Sequence, residues 1–89
     1  MAGHVTLRYW ASARAEAGVA EDEVPVTGPT SLARLRSEAH RLHPGGRFDA
    51  VIDSCAVMVD DRPATSRDAG AVMVEPGAIV EFLPPFAGG

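Results

Sequence analysis

Apolar and polar residues alternate at the start of the chain. In His4-Val5-Thr6-Leu7-Arg8-Tyr9-Trp10-Ala11, Val5, Leu7 and Tyr9 fall on one side and Thr6 and Arg8 on the other. A period of two predicts a strand with one buried face. The alternation gives way to Ala11-Ser12-Ala13-Arg14-Ala15-Glu16-Ala17, which predicts a helical turn or two closed by Gly18 at a C-cap position. Glu21-Asp22-Glu23-Val24-Pro25-Val26 predicts a short second strand. Pro25 has no N–H for a ladder and puts that strand at or near an edge, and Gly28-Pro29 ends it.

The period then changes. Leu32, Leu35, Ala39 and Leu42 recur at i, i+3, i+7 and i+10, one apolar stripe of a helix, with Arg34, Arg36, Glu38 and Arg41 mostly off it. Thr30 or Ser31 caps its start, and Pro44-Gly45-Gly46 stops it. Alternation returns in Ser54-Cys55-Ala56-Val57-Met58-Val59, with Cys55, Val57 and Val59 on one face and Ala56 and Met58 on the other. Asp60-Asp61 makes a turn into a brief return strand at Arg62-Pro63-Ala64-Thr65. Ala71-Val72-Met73-Val74 reads as a tethering segment before a turn at Pro76-Gly77. In the closing strand, Val80 and Phe82 share one face, and Ile79, Glu81 and Leu83 share the other.

The first and last strands are the most apolar, so they belong side by side at the centre of a mixed sheet. The expected fold is α+β: a β-grasp roll with a mixed four- to five-stranded sheet, covered on one face by the main helix. The domain spans residues 1–83, and residues 84–89 form a flexible projecting C-terminal Gly-Gly tail. The opposite face, with Met58, Ile79 and Leu83, has no second helix to cover it, and an apolar patch there suggests a protein partner.

Length and composition narrow the function. Eighty-nine residues with 46% apolar content suit one modest core. No stretch approaches the roughly 20 apolar residues of a membrane span, and one cysteine gives no internal disulfide, so the expected compartment is the cytoplasm. The net charge is −4 and the basic residues are scattered, which leaves no footprint for nucleic acid. All eight basic residues are arginine, so the chain offers no side-chain amine for a lysine-based site or an isopeptide bond to itself.

The ending needs its own explanation. At a usage of about 7% glycine, a chain ends in Gly-Gly by chance only about 0.5% of the time. Pro84 and Pro85 stop strand pairing and hold the backbone extended, as a stiff stem. Phe86 and Ala87 follow, and then two residues without side chains. A glycine backbone enters a narrow channel where any Cβ would clash. What arrives at the end of it is the Gly89 carboxylate, which becomes an acyl donor once adenylation by ATP makes its oxygen a leaving group.

Three stretches carry a family resemblance: Val5 to Gly18 as opening strand and helix, Ser54 to Ala64 as central strand and turn, and Gly77 to Gly89 as closing strand and tail. The chain resembles the MoaD/ThiS sulfur-carrier proteins, bacterial ubiquitin-like β-grasp relatives, and is most similar to the molybdopterin synthase small subunit. The resemblance implies that an E1-like enzyme, using ATP and Mg, adenylates Gly89, and that a sulfur donor converts it to a thiocarboxylate. It implies a sulfurtransferase complex in which this chain is carrier and not itself an enzyme, with no bound cofactor or metal. Gly88 and Gly89 become the reactive end, Pro84, Pro85, Phe86 and Ala87 the stem inserted into the molybdopterin synthase large subunit, Leu83 part of the docking surface, and Arg14 a charged contact. Glu75-Pro76-Gly77-Ala78 stands where the family commonly has Asp-Gly-Asp, and Asp60 or Asp61 where it usually has asparagine. Two alternatives stay open: a carrier for thiamine thiazole, cysteine or a secondary metabolite, and a ubiquitin-like modifier that forms amides with target lysines.

Other side chains read as structural. Cys55 lies in an alternating apolar strand and is expected in the core. His40 and His43 have ligand spacing but no third ligand, and a helix C-terminus welcomes imidazoles. Asp60-Asp61 and Asp68 fit turns and no calcium loop. Gly45-Gly46 lacks the helix and lysine of a phosphate loop.

Deleting Gly88-Gly89 is expected to leave the melting temperature nearly unchanged while abolishing sulfur transfer. A large drop in melting temperature would place the tail in the fold instead.

Overall fold

The computed structural model describes residues 3–64 and 70–85. Its elements run β1 (Gly3–Tyr9), α1 (Ala11–Ala17), β2 (Glu21–Val26), β3 (Thr30–Ser31), α2 (Leu32–Leu42), α3 (Phe48–Ser54), β4 (Ala56–Val59), β5 (Arg62–Pro63), β6 (Met73–Val74) and β7 (Ile79–Leu83). The main sheet has the order β2-β1-β7-β4-β5. β1 and β7 lie parallel at its centre with Thr6 opposite Ile79 and Tyr9 opposite Phe82, and the other neighbours are antiparallel. This is the mixed sheet of a ubiquitin-like β-grasp.

β2 takes an edge, where Pro25 leaves no ladder bond unmade. Gly18 ends α1 in the left-handed region, with φ 78°, and its N–H bonds to the Arg14 carbonyl. Ser31 caps α2: its hydroxyl accepts from the Arg34 N–H at 3.1 Å. The Ala71–Val74 tether is real. β6 pairs with β3, Thr30 opposite Val74, and the Val72 carbonyl accepts from the Leu32 N–H, so this segment holds the start of α2.

One face of the sheet makes the core. Val5, Leu7, Tyr9, Val24, Val26, Val57, Val80 and Phe82 meet Leu32, Leu35 and Ala39 of α2, Ala13 of α1, and Phe48 and Ile52 of α3. Tyr9 stacks on Phe82 with ring centroids 5.9 Å apart and meets Phe48 edge-on at 5.6 Å. Its hydroxyl donates to Asp22 at 2.8 Å. Burial first, then this bond and the Asp22 charge, holds the phenol well above its ordinary range, so the donor proton stays in place.

Two sequence expectations change. The covering layer gains a helix beyond the expected main helix and short opening helix, because α3 supplies Phe48 and Ile52 to the core. Leu42, expected on the buried stripe, is exposed. The next residue fills that space: the His43 ring packs on Phe48 at 4.9 Å and edge-on to Tyr9 at 5.6 Å, while its Nε2 bonds Asp22 at 2.6 Å. A helical stripe passes between i+10 and i+11, and the end of α2 turns His43 inward.

The Asp60-Asp61 turn joins β4 to β5 with both residues at positive φ, 49° and 65°, as a two-residue hairpin of the primed type requires. Asp60 is tied to the start of β7: its N–H donates to the Ile79 carbonyl, and its Oδ1 accepts from the Ile79 N–H, both at 2.9 Å. Among the described residues Asp61 shows no comparable tie. Asp61→Gly is therefore expected to stabilise the fold by about 0.5–1 kcal/mol, and Asp60→Ala to destabilise it by about 1–2 kcal/mol, read from urea unfolding midpoints. The opposite order would contradict this account of the turn.

Candidate functional site: the open sheet face and the C-terminal stem

The face of the sheet away from the helices is set by strand parity. Val80 and Phe82 point into the core, so Ile79, Glu81 and Leu83 point out. The registers join these to one row across all five strands, Glu21–Arg8–Glu81–Met58–Pro63, with Leu83 and Ala56 paired in the next row. Met58, Ile79 and Leu83 are half-buried on this face, and none of the described helices packs over them. The β4–β7 half is thus apolar. The β1–β2 half is polar, with Thr6 donating to Glu23 at 2.9 Å and Arg8 pairing with Glu21 at 3.2 Å.

Trp10 extends this face. It follows β1 on the same side as Arg8, its N–H donates to the Phe82 carbonyl at 3.2 Å, and its indole Nε1 donates to Glu81 Oε2 at 2.9 Å. Trp10 as a residue is 43% exposed. Ala11, the next residue, has φ 48° and turns the chain at once into α1, whose Ala13 is buried in the core. The sharp turn is what leaves Trp10 on the open side while the helix crosses to the other. The alternating pattern marks Trp10 only as the end of a strand, although its parity with Arg8 is a signal that assigns it to the open face.

Of the residues expected at the site, the structure gathers Leu83, Pro84 and Pro85 at the end of β7. β7 stops at Leu83, and the two prolines continue outside the sheet, Pro84 half-buried and Pro85 exposed. Phe86, Ala87, Gly88 and Gly89 lie outside the described residues, as does Asp68. Arg14 is exposed on α1 and lines a groove with Ala11, Ala15, Gly18, Val19 and Ala20.

The remaining chemical side chains hold elements together. His40 bridges Asp49 and Asp53 of α3, and His43 reaches Asp22 of β2. Cys55 is buried and its thiol donates to the Val51 carbonyl at 3.2 Å. Burial pushes this thiol up to about 11, against the opposing pull of the Arg36 guanidinium. No cluster of ligating side chains suited to a metal occurs among the described residues, and no helix there is long and apolar enough to cross a membrane.

The model of the ThiS family matches residues 7–89. The chain belongs to the ThiS family. Small archaeal modifier protein 1 from Haloferax volcanii is similar in structure, with a TM-score of 0.79 at 20% identity over 98% of this chain and 100% of that one. The Pyrococcus furiosus protein described as molybdopterin converting factor, subunit 1, gives 0.75 at 22% identity over 94% and 99%. The Helicobacter pylori complex of molybdopterin-converting factor subunits 1 and 2 gives 0.63 at 18% identity, covering 100% of both chains. These likenesses support the β-grasp fold. No curated protein matches the sequence significantly. With its family, the chain stands among the ubiquitin-fold sulfur carriers.

Because the Cys55 thiol is buried and its thiolate disfavoured, a disulfide reagent at pH 8 is expected to react with it at least about tenfold more slowly than with the unfolded chain. Reaction at the rate of a free thiol would put Cys55 on the surface and return it to consideration as a sulfur site.

Proposed function

We propose that this chain carries sulfur on its C-terminal Gly89 as the small subunit of molybdopterin synthase. The observation that carries the reading is the junction at Leu83. The central strand of the sheet, flanked on its open side by an apolar surface, runs directly into Pro84-Pro85-Phe86-Ala87-Gly88-Gly89. A docking surface and a reactive end on one strand let a partner grip the first while its catalytic centre receives the second.

The chemistry needs nothing from the carrier's own side chains. In the E1-like partner a Gly89 carboxylate oxygen attacks the α-phosphorus of ATP, with Mg on the phosphates, and pyrophosphate leaves. A sulfur donor then displaces AMP and leaves a thiocarboxylate. The large subunit of the synthase receives the stem formed by residues 84–87, the thiocarboxylate sulfur bonds to the pterin precursor as a thioester, and water hydrolyses that thioester, leaving sulfur on the precursor and regenerating the Gly89 carboxylate. Gly88 keeps the approach narrow. Arg14, an exposed cation on α1, serves as a charged contact.

The second reading is a ubiquitin-like modifier, favoured by the likeness to small archaeal modifier protein 1. There the acyl group ends on a target amine, and heavier conjugates accumulate in place of a thiocarboxylate. A carrier for a different sulfur acceptor has the same first steps.

The test is intact-mass spectrometry of the thiocarboxylated chain mixed with a molybdopterin synthase large subunit and its pterin precursor. The sulfur-for-oxygen increment is expected to vanish only when both are present. Persistence of the increment overturns the molybdopterin assignment and points to another acceptor.

A further inference from the structure

Glu81 is at odds with its surroundings. It sits between Ile79 and Leu83 with Met58 opposite, and its side chain is only 14% exposed. A carboxylate in such a place needs donors. It has the Trp10 indole N–H at 2.9 Å, and Arg8 Nη1 stands 4.0 Å from the same oxygen. Trp10 shows the reverse arrangement: its polar edge is tied down and its apolar body is in the open. Fixing a large side chain before binding removes an ordering cost that association would otherwise carry. Charge on this strip is also unbalanced, since Glu21, Glu23 and Glu81 face one guanidinium, Arg8.

We propose that Glu81 is a positioning residue that fixes the Trp10 indole beside Leu83 as a preformed anchor, and that the protein docking on this face takes the indole into an apolar pocket bordered by a cationic side chain. The inference rests on the carrier reading, because it concerns the same docking face. Buried aromatics dominate interface energetics, while charges at the rim act mainly on association and its salt dependence. The acidic strip at β1–β2 is such a rim, and it selects a basic border on the partner.

Trp10 is the only tryptophan, so emission from the free chain reports the clamp directly. Glu81→Ala is expected to red-shift that emission and to increase indole mobility in time-resolved anisotropy. Glu81→Gln, which keeps an acceptor, is expected to stay near wild type. Calorimetric titration against a purified E1-like adenylating enzyme is expected to show binding weakened about tenfold or more by Trp10→Ala, and by a smaller factor for Glu81→Ala, at unchanged melting temperatures. Added salt should weaken the wild-type complex, and a Glu21→Gln, Glu23→Gln double variant should lose most of that dependence. Unchanged emission in Glu81→Ala, unchanged affinity in Trp10→Ala, or salt-independent association each overturns the proposal. A wild-type chain that forms a thiocarboxylate but binds independently of Trp10 overturns this inference alone. One that neither binds nor is adenylated overturns the carrier reading with it.

Discussion

The parallel pairing of β1 with β7 is the constraint on which the rest of the structure depends. Parallel neighbours cannot be joined by a hairpin, so everything between Tyr9 and Ile79 is one long connection that must return the chain to its first strand. The pairing is fixed by core contacts at its far end, where Tyr9 and Phe82 are opposite one another and stack. Because the two strands point the same way, they finish together. The end of β1, the start of α1 and the end of β7 therefore share one edge of the molecule, and the stem beginning at Pro84 leaves beside Trp10.

The same register divides the two faces. Strand side chains alternate, and a one-residue slip of β7 would exchange Val80 and Phe82 for Ile79, Glu81 and Leu83. That slip would bury a carboxylate under α2 and expose two core residues, so burial enforces the register. The open face inherits what the core does not use: an apolar half on β7 and β4, an acidic half on β1 and β2, and Glu81 between them. Both the apolar half of the open face and its acidic half are thus by-products of the pairing that makes the core. The buried thiol of Cys55 closes the end of α3, His40 ties α2 to α3, and His43 at the end of α2 is secured to the sheet through Asp22.

Much of this architecture is legible in the amino-acid pattern. Alternation locates β1, β4 and β7. Pro25 locates the edge, Gly18 the end of α1, and Asp60-Asp61 the hairpin. Helix α3 escapes the pattern for a physical reason. It is seven residues long, carries only one i, i+3, i+4 set in Phe48, Val51 and Ile52, and opens without a side-chain cap, so the period has no second turn to repeat in and no boundary signal marks it. Leu42 and His43 compete for one position on the helical stripe, and hydropathy favours the wrong one. Trp10 and Glu81 belong to the open face by parity, but their hydrogen bond joins residues 71 positions apart, and only the fold brings them together. Family resemblance alone marks Arg14 as a contact, since nothing in the helical pattern of α1 sets this exposed arginine apart.

The central claim, proposed above, is that the activated group is the carboxylate of Gly89 and that the buried Cys55 thiol takes no part in its activation. Intact-mass and fragmentation analysis after incubation with an E1-like enzyme, ATP, Mg and a sulfur donor tests it most directly, with Cys55→Ala run in parallel. The account predicts one oxygen-for-sulfur replacement located at Gly89 in both proteins. A replacement absent from a folded wild-type chain, or one lost with Cys55, would contradict it.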